Sequence, residues 1–465
     1  MMFAPDQFGC PSFRRDHAVK YAYVAGAMYK GIASKELVVR MGQARLLAFL
    51  GTGGLRLERI DEDIAFIQGR LPEGASYGLN LLCQPLDPGP EEALVDLLLA
   101  RRVPRVEAAA YTQVSSALVR YRLNGLRRGA DGRTEIAHRV LAKVSRPEVA
   151  ERFLSPPPEA LMTPLLAAGR VTTEQVELAR RVPMADDIVV EADSGGHTDQ
   201  GVAFALLPAI LRQRDHAMRN WGYAQRVRVG GAGGLGVPEA VASMFIMGAD
   251  FVLTGSVNQC TVEAGISDAA KDLLQEAGVQ DTAIAPAGDM FEQGAKVRVL
   301  RKASLFPARA NKLYDLYRFH NAWEDIDPKA RQQLESQVFK RSLQQVWVET
   351  EAYLARTNPA ALDRAARDAK YRMALIFKWY FVHSARLARS GSVEQRADYQ
   401  IHCGPALGAF NQWVKGSERE DWRARHVDDI AQMLMEQAAQ VMARRTSAML
   451  NNDRQAASRG ENGGR

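Results

Sequence analysis

The chain has 465 residues, of which 47% are hydrophobic and 25% are charged, and its formal net charge is +6. This composition is typical of a water-soluble globular protein that forms one large domain or a barrel with a smaller domain. The charges are scattered rather than collected in a basic block, so nucleic-acid binding is not indicated.

The four cysteines form no Cys-x-x-Cys pair and no cysteine–histidine spacing suited to zinc. No metal centre is therefore expected, and a reducing cytoplasm fits. Residues 1–16 lack the apolar core of a signal peptide. The most apolar stretch, residues 373–382, is too short for a membrane span and contains Lys378. These features predict a cytoplasmic protein that does not associate with membranes.

Short apolar segments with the character of strands, mostly separated by helical patterns, occupy the first part of the chain. The predicted strands are residues 21–28, 46–50, 77–82, 105–110, 139–144, 188–192, 226–229 and 251–253. Alternating strands and helices over roughly 250 residues predict a (β/α)8 TIM barrel in the α/β class. An open, doubly wound sheet is the alternative.

Three helix starts carry local signals. Ser34 can cap a helix that extends to Arg45, and Thr172 has the capping-box spacing with Gln175. Pro238 fits the first turn of the helix after the seventh strand, where a missing N–H has no cost. These signals support the alternation of strands and helices.

The segment of residues 191–197, Glu-Ala-Asp-Ser-Gly-Gly-His, follows the sixth strand. Gly195 and Gly196 predict a tight turn that holds His197 at its tip. A histidine in that position can donate or accept a proton near neutral pH. The alternative is a histidine that only bonds to the backbone.

Two glycine-rich loops follow the seventh and eighth strands, at residues 230–236 and 254–256. TIM barrels often bind phosphate with these two loops, through backbone N–H groups. The first loop matches the G-x-G-x-x-G pattern, but its late position favours a mononucleotide phosphate over a dinucleotide. Close helix–strand packing is the other explanation for the glycines.

After Ser256 the pattern becomes mostly helical, with aromatic residues that are expected to form a core. Residues 402–411 are rich in glycine and proline and predict a structured loop. A last helix is predicted over residues 427–445, before a polar tail that is expected to be disordered. The predicted divisions are an N-terminal segment (1–20), the barrel (21–262), a helical region whose last helix could pack back on the barrel (263–445) and the tail (446–465).

Several motifs together resemble the PfaD-type trans-acting enoyl reductases of bacterial polyketide and polyunsaturated fatty acid synthases. They lie at residues 23–28, 191–197, 233–240, 253–259, 289–292, 312–314 and 403–411. The Gly-Gly-His segment is shared with the wider nitronate monooxygenase and FMN-dependent enoyl-ACP reductase superfamily, whereas the C-terminal motifs point to the PfaD branch. The likeness covers roughly residues 21–445. Gly231 and Leu407 differ from the alanine and methionine that are usual in the family.

The resemblance implies a TIM barrel that binds FMN, uses NADPH as hydride donor and reduces a 2-enoyl thioester on an acyl carrier protein. It implies His197 as the catalytic residue, over the flavin and the thioester. The implied cofactor contacts are Ala27 and Met28 at the flavin ring, Asn80 and Lys143 at the ring edge or ribityl chain, Gly195 and Gly196 beside His197, and Gly233, Gly234, Gly255 and Ser256 at the phosphate. The arginine-rich helical region would cover the barrel mouth and receive the carrier protein.

Two other functions fit the same residues. A nitronate monooxygenase would use His197 as a base on a small nitroalkane, and a non-catalytic FMN barrel would serve as an assembly partner within a synthase complex. Lys143 could also be a surface lysine at a strand end. The sequence leaves open the role of His197 as acid or orienter and the oligomeric state, a homodimer included.

Overall fold

Eight parallel strands close into a barrel in the computed structural model, which describes residues 3–84 and 87–461, with side chains to residue 450. In chain order the barrel strands are β1 (Tyr23–Ala25), β2 (Leu47–Leu50), β3 (Gly78–Leu82), β4 (Arg105–Ala109), β5 (Arg139–Val144), β6 (Asp187–Glu191), β7 (Arg228–Ala232) and β8 (Val252–Thr254). Each strand pairs with the next, and β8 pairs with β1, with Tyr23 opposite Val252. The closed order confirms the predicted TIM barrel and shows that the open-sheet alternative is wrong.

The chain divides into two compact units, which are described separately. The barrel unit comprises Met1–Asp193, Gln200–Gly265 and Trp413–Arg465, and the helical unit comprises Ser194–Asp199 and Ile266–Gln412. The helices that begin in the barrel unit are Pro11–His17, Lys35–Gln43, Leu57–Gln68, Gly89–Ala100, Ser116–Asn124, Pro147–Leu154, Glu159–Ala167, Thr173–Ala179, Ala203–Trp221, Pro238–Ile246, Ser256–Gln259 and Val427–Glu461. A small hairpin pairs Leu126–Arg128 with Thr134–Ile136.

The predicted helix caps are confirmed. The Ser34 hydroxyl accepts a hydrogen bond from the backbone N–H of Leu37 at 3.0 Å. Thr172 and Gln175 form the complete capping box, with bonds of 2.9 and 3.2 Å in the two directions. Because these side chains satisfy backbone groups that the first turn leaves open, they fix where the two helices begin.

Strand β7 is longer than predicted. Its predicted end is Val229, but the strand continues to Ala232 and includes Gly230 and Gly231. A Cβ at Gly230 would lie 2.6 Å from the Phe251 ring, and one at Gly231 would lie 2.7 Å from the Met244 sulfur. These two glycines therefore allow Phe251 and Met244 to pack closely against β7. The loop after the strand begins at Gly233.

The amino ends of the barrel strands are closed by the helix Pro11–His17. Phe13 on this helix is fully buried and stacks on Phe251 with ring centroids 4.5 Å apart. His17 bonds Asp187 through Nε2 at 2.8 Å and accepts a bond from Arg105 at Nδ1. The helix therefore contributes both an apolar plug and a buried polar contact to the barrel floor.

The helical unit contains a sheet that the sequence did not predict. Thr282–Pro286 pairs with Lys296–Leu300, which pairs with Gly196–His197, all antiparallel. Its helices are Asp268–Gln275, Phe306–Phe319, Pro328–Gln333, Leu343–Thr357, Pro359–Arg367, Ala369–Ser390 and Pro405–Val414, with a π-helix over Leu334–Phe339. Its aromatic side chains form a core, as predicted, that includes Phe291, Phe306, Phe339, Phe377, Tyr380 and Phe381.

The prediction of a loop over residues 402–411 is wrong from Pro405 onward, because Pro405–Val414 is a helix. Proline at the first helical position lacks only an N–H that would have no partner there, so it starts a helix as readily as it ends one. Gly408 is in this helix because a Cβ there would lie 2.1 Å from the backbone of Gly278. The glycine therefore reflects close packing rather than a turn.

The last helix, Val427–Glu461, extends beyond the predicted end at residue 445. It packs against the helices Lys35–Gln43 and Pro238–Ile246 of the barrel unit. Most of the predicted disordered tail is thus helical, and residues 462–465 of that prediction lie outside the described residues. Across the described part of the chain, every helix is too short or too polar to cross a membrane.

The barrel plug generates a stability prediction. Phe13→Ala should lower the free energy of unfolding by about 3–5 kcal/mol, because it empties a fully buried aromatic site. Urea denaturation followed by circular dichroism measures this. Phe204→Ala is the matched control, since Phe204 is 72% exposed and its removal should change stability by less than about 0.5 kcal/mol. Equal effects of the two substitutions would contradict the role of Phe13.

Candidate active site

Charged side chains from three neighbouring strands meet inside the barrel. Lys143, next to last in β5, places Nζ 3.0 Å from Glu191 at the end of β6. The same Nζ lies 3.9 Å from Oε1 of Glu107 in β4. Lys143 is only 15% exposed, so it is not the surface lysine of the alternative interpretation. The barrel therefore holds the largely buried ammonium of Lys143 between two carboxylates.

Glu107 is fully buried, and the two sides of its carboxylate have different surroundings. Oε2 accepts a hydrogen bond from the backbone N–H of Ala27 at 3.0 Å, whereas Oε1 is buried and receives none. Burial raises the pKa of Glu107 to about 7, although Lys143 and the Ala27 N–H oppose that rise. Burial works against the charge of Lys143 as well, but the carboxylates of Glu191 and Glu107 outweigh it and raise the lysine pKa.

Asn80 and the loop after β1 contact this group directly. The Asn80 side chain donates to the backbone carbonyl of Glu107 at 3.0 Å. Ala27 and Met28, both half-buried, lead from β1 into a short turn over Tyr29–Gly31. Glu107 thus contacts three of the residues predicted to bind the cofactor. Its carboxylate contacts Ala27 and Lys143, and its backbone carbonyl contacts Asn80.

The glycines after β7 have the backbone that a ligand-binding turn requires. Gly233 and Gly234 have φ of +93° and +76°, a region that L-residues with side chains rarely adopt. A Cβ at Gly233 would lie 2.8 Å from the backbone of Ala192, whereas one at Gly234 would meet nothing within 4 Å. Gly233 is therefore a packing glycine, and Gly234 borders open space.

The strand end at β8 has a similar opening. A Cβ at Gly255 would also meet nothing within 4 Å, and Ser256 begins the short helix that follows. The Asn258 side chain donates hydrogen bonds to the backbone carbonyl and the hydroxyl of Thr254, and the same hydroxyl shares a hydrogen bond with the Tyr23 hydroxyl. The polar contacts of Thr254 fix the strand end, while the backbone beyond it leaves room for a ligand.

His197 lies in the helical unit, in a short strand rather than at the tip of the predicted turn. Gly196 has φ of +89°, and the next residue, His197, pairs with Val297. The imidazole Nε2 lies 3.0 Å from Oδ1 of Asp289, yet the side chain remains 50% exposed. Burial would raise the Asp289 pKa, but the hydrogen bond with His197 and the charge of His197 lower it. The imidazole is thus oriented by a carboxylate and remains accessible.

Gly195 and Gly196 lie against Gly404 and His402, which precede the helix Pro405–Val414. A Cβ at Gly404 would lie 2.8 Å from the backbone nitrogen of Gly195, so only glycine fits there. His402 pairs with Val299, and burial, followed by the charge of His197, lowers its pKa to about 4. A neutral His402 therefore accompanies His197 at neutral pH.

Sequence reasoning missed two of these residues. Glu107 could have been found as the one acidic residue within an apolar strand, since a buried carboxylate requires a specific reason. Asp289 belongs to a motif that was recognised, but its contact with His197 spans 92 positions and leaves no local signal. Among the described residues, no group of three or more histidine, cysteine, aspartate or glutamate side chains could hold a metal ion.

Comparison with solved structures gives a full-length match. The enoyl reductase domain of MlnA, from the macrolactin biosynthesis cluster of Bacillus amyloliquefaciens, is 43% identical to the chain with a TM-score of 0.92. The match covers 95% of this chain and 99% of that domain. The chain belongs to the PfaD-type enoyl reductase family.

Curated relatives extend this family to larger proteins. The polyketide biosynthesis protein PksE of Bacillus subtilis is 52% identical over 445 residues, which are 96% of this chain and 58% of PksE. The polyketide biosynthesis protein ThaF of Burkholderia thailandensis is 50% identical over 446 residues, 96% of this chain and 38% of ThaF. A polyunsaturated fatty acid synthase protein of Thraustochytrium is 45% identical over 413 residues, 88% of this chain and 28% of that protein. The chain therefore spans little more than half of PksE and a smaller part of the other two.

One segment also matches a separate family model. Residues 320–399 match the inserted helical domain of [acyl-carrier-protein] S-malonyltransferase. This segment includes the three consecutive helices Leu343–Thr357, Pro359–Arg367 and Ala369–Ser390. The PfaD-type chain is thus similar, within its helical unit, to a helical insertion known from another enzyme family.

The buried carboxyl of Glu107 generates a pH prediction. Its pKa is about 7 in the folded protein and about 4.3 in an unfolded chain, so the folded state keeps a proton that the unfolded state releases. The stability that this proton contributes is present below about pH 4.3 and is lost as the pH rises through about 7. The unfolding free energy of the protein relative to Glu107→Gln should therefore fall by on the order of 3 kcal/mol between about pH 4.5 and 8.

Urea denaturation of the cofactor-free protein at a series of pH values measures this difference. Glu351→Gln, at an exposed helical position, is the matched control and should follow the native protein at every pH. A difference between Glu107→Gln and the native protein that does not change with pH would show that Glu107 does not exchange a proton in this range.

Proposed function

We propose that the chain is an FMN-dependent trans-acting enoyl reductase that uses NADPH to reduce the 2,3 double bond of enoyl thioesters on an acyl carrier protein. The observation that carries this proposal is the 43% identity to an enoyl reductase domain along nearly the full length of both chains. The strand-end residues add independent support, because their chemistry suits a phosphorylated flavin.

The barrel unit fits FMN by two tests. Open space borders Gly234 and Gly255, at the two loops where barrels commonly hold phosphate. The phosphate would bind there, at Gly233, Gly234, Gly255 and Ser256. Glu107 has a buried carboxylate oxygen that lacks a hydrogen-bond donor, as expected of a polar group that faces a ligand. The ring system would lie near Ala27, Met28, Asn80 and Lys143.

Bound FMN would supply hydride transfer from NADPH to the β-carbon of the enoyl thioester. The chain's own residues would bind and position the reactants. Lys143 would offset negative charge near the ring, and Ala27, held by Glu107, would fix the loop against it. His197, oriented by Asp289, would donate the proton that the α-carbon requires or hold the thioester oxygen. Gly195 and Gly196 would allow its backbone to approach the cofactor.

The helical unit is proposed to receive the carrier protein. Exposed arginines, including Arg356, Arg364 and Arg367, suit an acidic carrier and the phosphate of its prosthetic arm. The match of residues 320–399 to an insertion in a malonyltransferase that acts on acyl carrier protein supports the same partner class. A docking surface on helices is also consistent with a substrate that arrives tethered rather than free.

His197→Ala should keep bound FMN and its reduction by NADPH but lose at least about 100-fold in enoyl reduction, the usual effect of removing a general acid. Anaerobic spectra measure both steps, with NADPH added first and crotonyl-loaded carrier protein second. His216→Ala, on the exposed face of the helix Ala203–Trp221, is the control and should retain full activity. Full activity in His197→Ala would remove His197 from the mechanism.

The same experiment separates the alternatives. Flavin that is reoxidised by oxygen or a nitroalkane, but not by the enoyl carrier, would favour a nitronate monooxygenase. Flavin that NADPH cannot reduce would favour a non-catalytic assembly partner. Absence of FMN from the purified and reconstituted protein would contradict all three functions.

Gly234→Leu should abolish FMN binding, because the side chain would fill the open space beside the phosphate loop. Gly222→Leu is a matched control: Gly222 also has positive φ, +63°, and open space around its Cβ position, but it ends a helix away from the strand-end loops. Flavin absorbance after reconstitution and gel filtration measures occupancy. A fully loaded Gly234→Leu protein would contradict the phosphate assignment.

A further inference from the structure

We propose that Glu107 is a positioning residue of the cofactor site that takes up a proton when the bound flavin is reduced. The inference rests on the proposed function, because it requires FMN beside Lys143. It assigns to Glu107 a role that neither the motifs nor the comparisons provide.

The Glu107 carboxylate is incompletely hydrogen-bonded. One oxygen is satisfied by the Ala27 N–H at 3.0 Å, and the other is buried with no hydrogen bond. A buried carboxylate oxygen without a donor is unfavourable when it is charged. Protonation relieves that cost, and the proton can then be donated to an acceptor within the site. The geometry thus makes Glu107 a group with two accessible protonation states.

The charges of Lys143, Glu107 and Glu191 also favour uptake of a proton. Lys143 contributes one positive charge and lies within 4 Å of two carboxylates, those of Glu107 and Glu191. With both carboxylates ionised, these three side chains sum to a net charge of −1, so Lys143 can offset further negative charge only when one of the two carboxylates is protonated. Negative charge that develops nearby is then disfavoured. A proton on Glu107 makes the cluster neutral and removes the repulsion.

The groups that face Glu107 in the described part of the chain add no further charge to this count. Towards β5 it faces Lys143, and beyond that Glu191 of β6. From β3 the neutral amide of Asn80 contacts its backbone, and from the loop after β1 the contact is the Ala27 peptide. Along β4 its direct neighbours Val106 and Ala108 are apolar, and the charged Arg105, two residues away, donates to Nδ1 of His17 instead. The pKa of about 7 that burial produces lies in the range where one nearby charge shifts the proton population.

Bound FMN would accept the hydride of NADPH, a proton with two electrons, which leaves NADP⁺ and adds negative charge beside Lys143. Glu107 takes one proton from solvent and changes from carboxylate to carboxylic acid. When the hydride is passed on to the enoyl substrate, Glu107 would release this proton to solvent again. Glu107 therefore exchanges a proton with solvent once in each reaction cycle without touching the substrate.

The test is the pH dependence of the midpoint potential of bound FMN, measured against a reference dye above the pKa of Glu107. If Glu107 takes up a proton on reduction, the native slope should be steeper than that of Glu107→Gln by about 30 mV per pH unit. One pH unit is a tenfold change in proton concentration, and a tenfold change in the equilibrium constant of a two-electron couple corresponds to about 30 mV. Glu351→Gln is the control and should keep the native slope. Equal slopes in the native protein and Glu107→Gln would overturn the inference.

A measurement on the native protein covers the case in which Glu107→Gln does not fold or bind FMN. The reduced-minus-oxidised infrared spectrum should show a new carbonyl band of a protonated carboxyl group, which shifts in deuterated water. Absence of that band would also overturn the inference. A native protein that binds no FMN would contradict the proposed function and this inference together, whereas bound FMN that NADPH reduces, with no difference in slope, would contradict only the role of Glu107.

Discussion

The barrel depends on a buried ion pair that joins two adjacent strands at their amino ends. Arg228, the first residue of β7, donates two hydrogen bonds of 2.6 and 3.0 Å to Asp187, the first residue of β6. The two residues are also register partners, so the pair can form only when these strands are correctly aligned. His17 adds a third bond to Asp187 and ties the plugging helix to the same point. Breaking one partner of such a pair typically costs about 3–5 kcal/mol, because a charge is left buried alone.

This alignment determines the geometry at the opposite end of the barrel. With Arg228 opposite Asp187, Ala232 lies opposite Glu191, and Gly233 follows directly against Ala192. A slip of one residue would turn every side chain of the strand to the other face and would move Gly233 and Gly234, the glycines proposed to bind phosphate. Strand β7 is only 5 residues long, so its two ends cannot be aligned independently. The ion pair at one end of the strands therefore fixes the position of the proposed ligand-binding residues at the other end.

How far sequence reasoning succeeds depends on whether the signal is local. Strand positions and helix caps follow from hydrophobic pattern and capping residues, so the barrel and the starts of helices such as Lys35–Gln43 could be predicted. The end of β7 could not be predicted, because Gly230 is required by close contact with the ring of Phe251 rather than by a turn. Phe251 directly precedes β8, so this contact leaves no signal in the sequence near Gly230. The contacts of Glu107 and Asp289 are equally non-local. The family motifs supplied candidate residues, but their partners required the fold.

Asp187 and Glu107 show how the same fold gives two buried carboxylates opposite behaviour. Both are completely shielded from solvent. Burial acts to raise both pKa values, but Asp187 has the charges and hydrogen bonds of Arg228 and His17, which hold its pKa well below the usual range. Glu107 has one backbone donor and a lysine that it shares with Glu191, and its pKa rises. The number of committed donors thus separates a permanent structural charge from a carboxyl that can exchange its proton. The carboxyl that can exchange its proton is thus the one beside Lys143, in the site where FMN is proposed to bind.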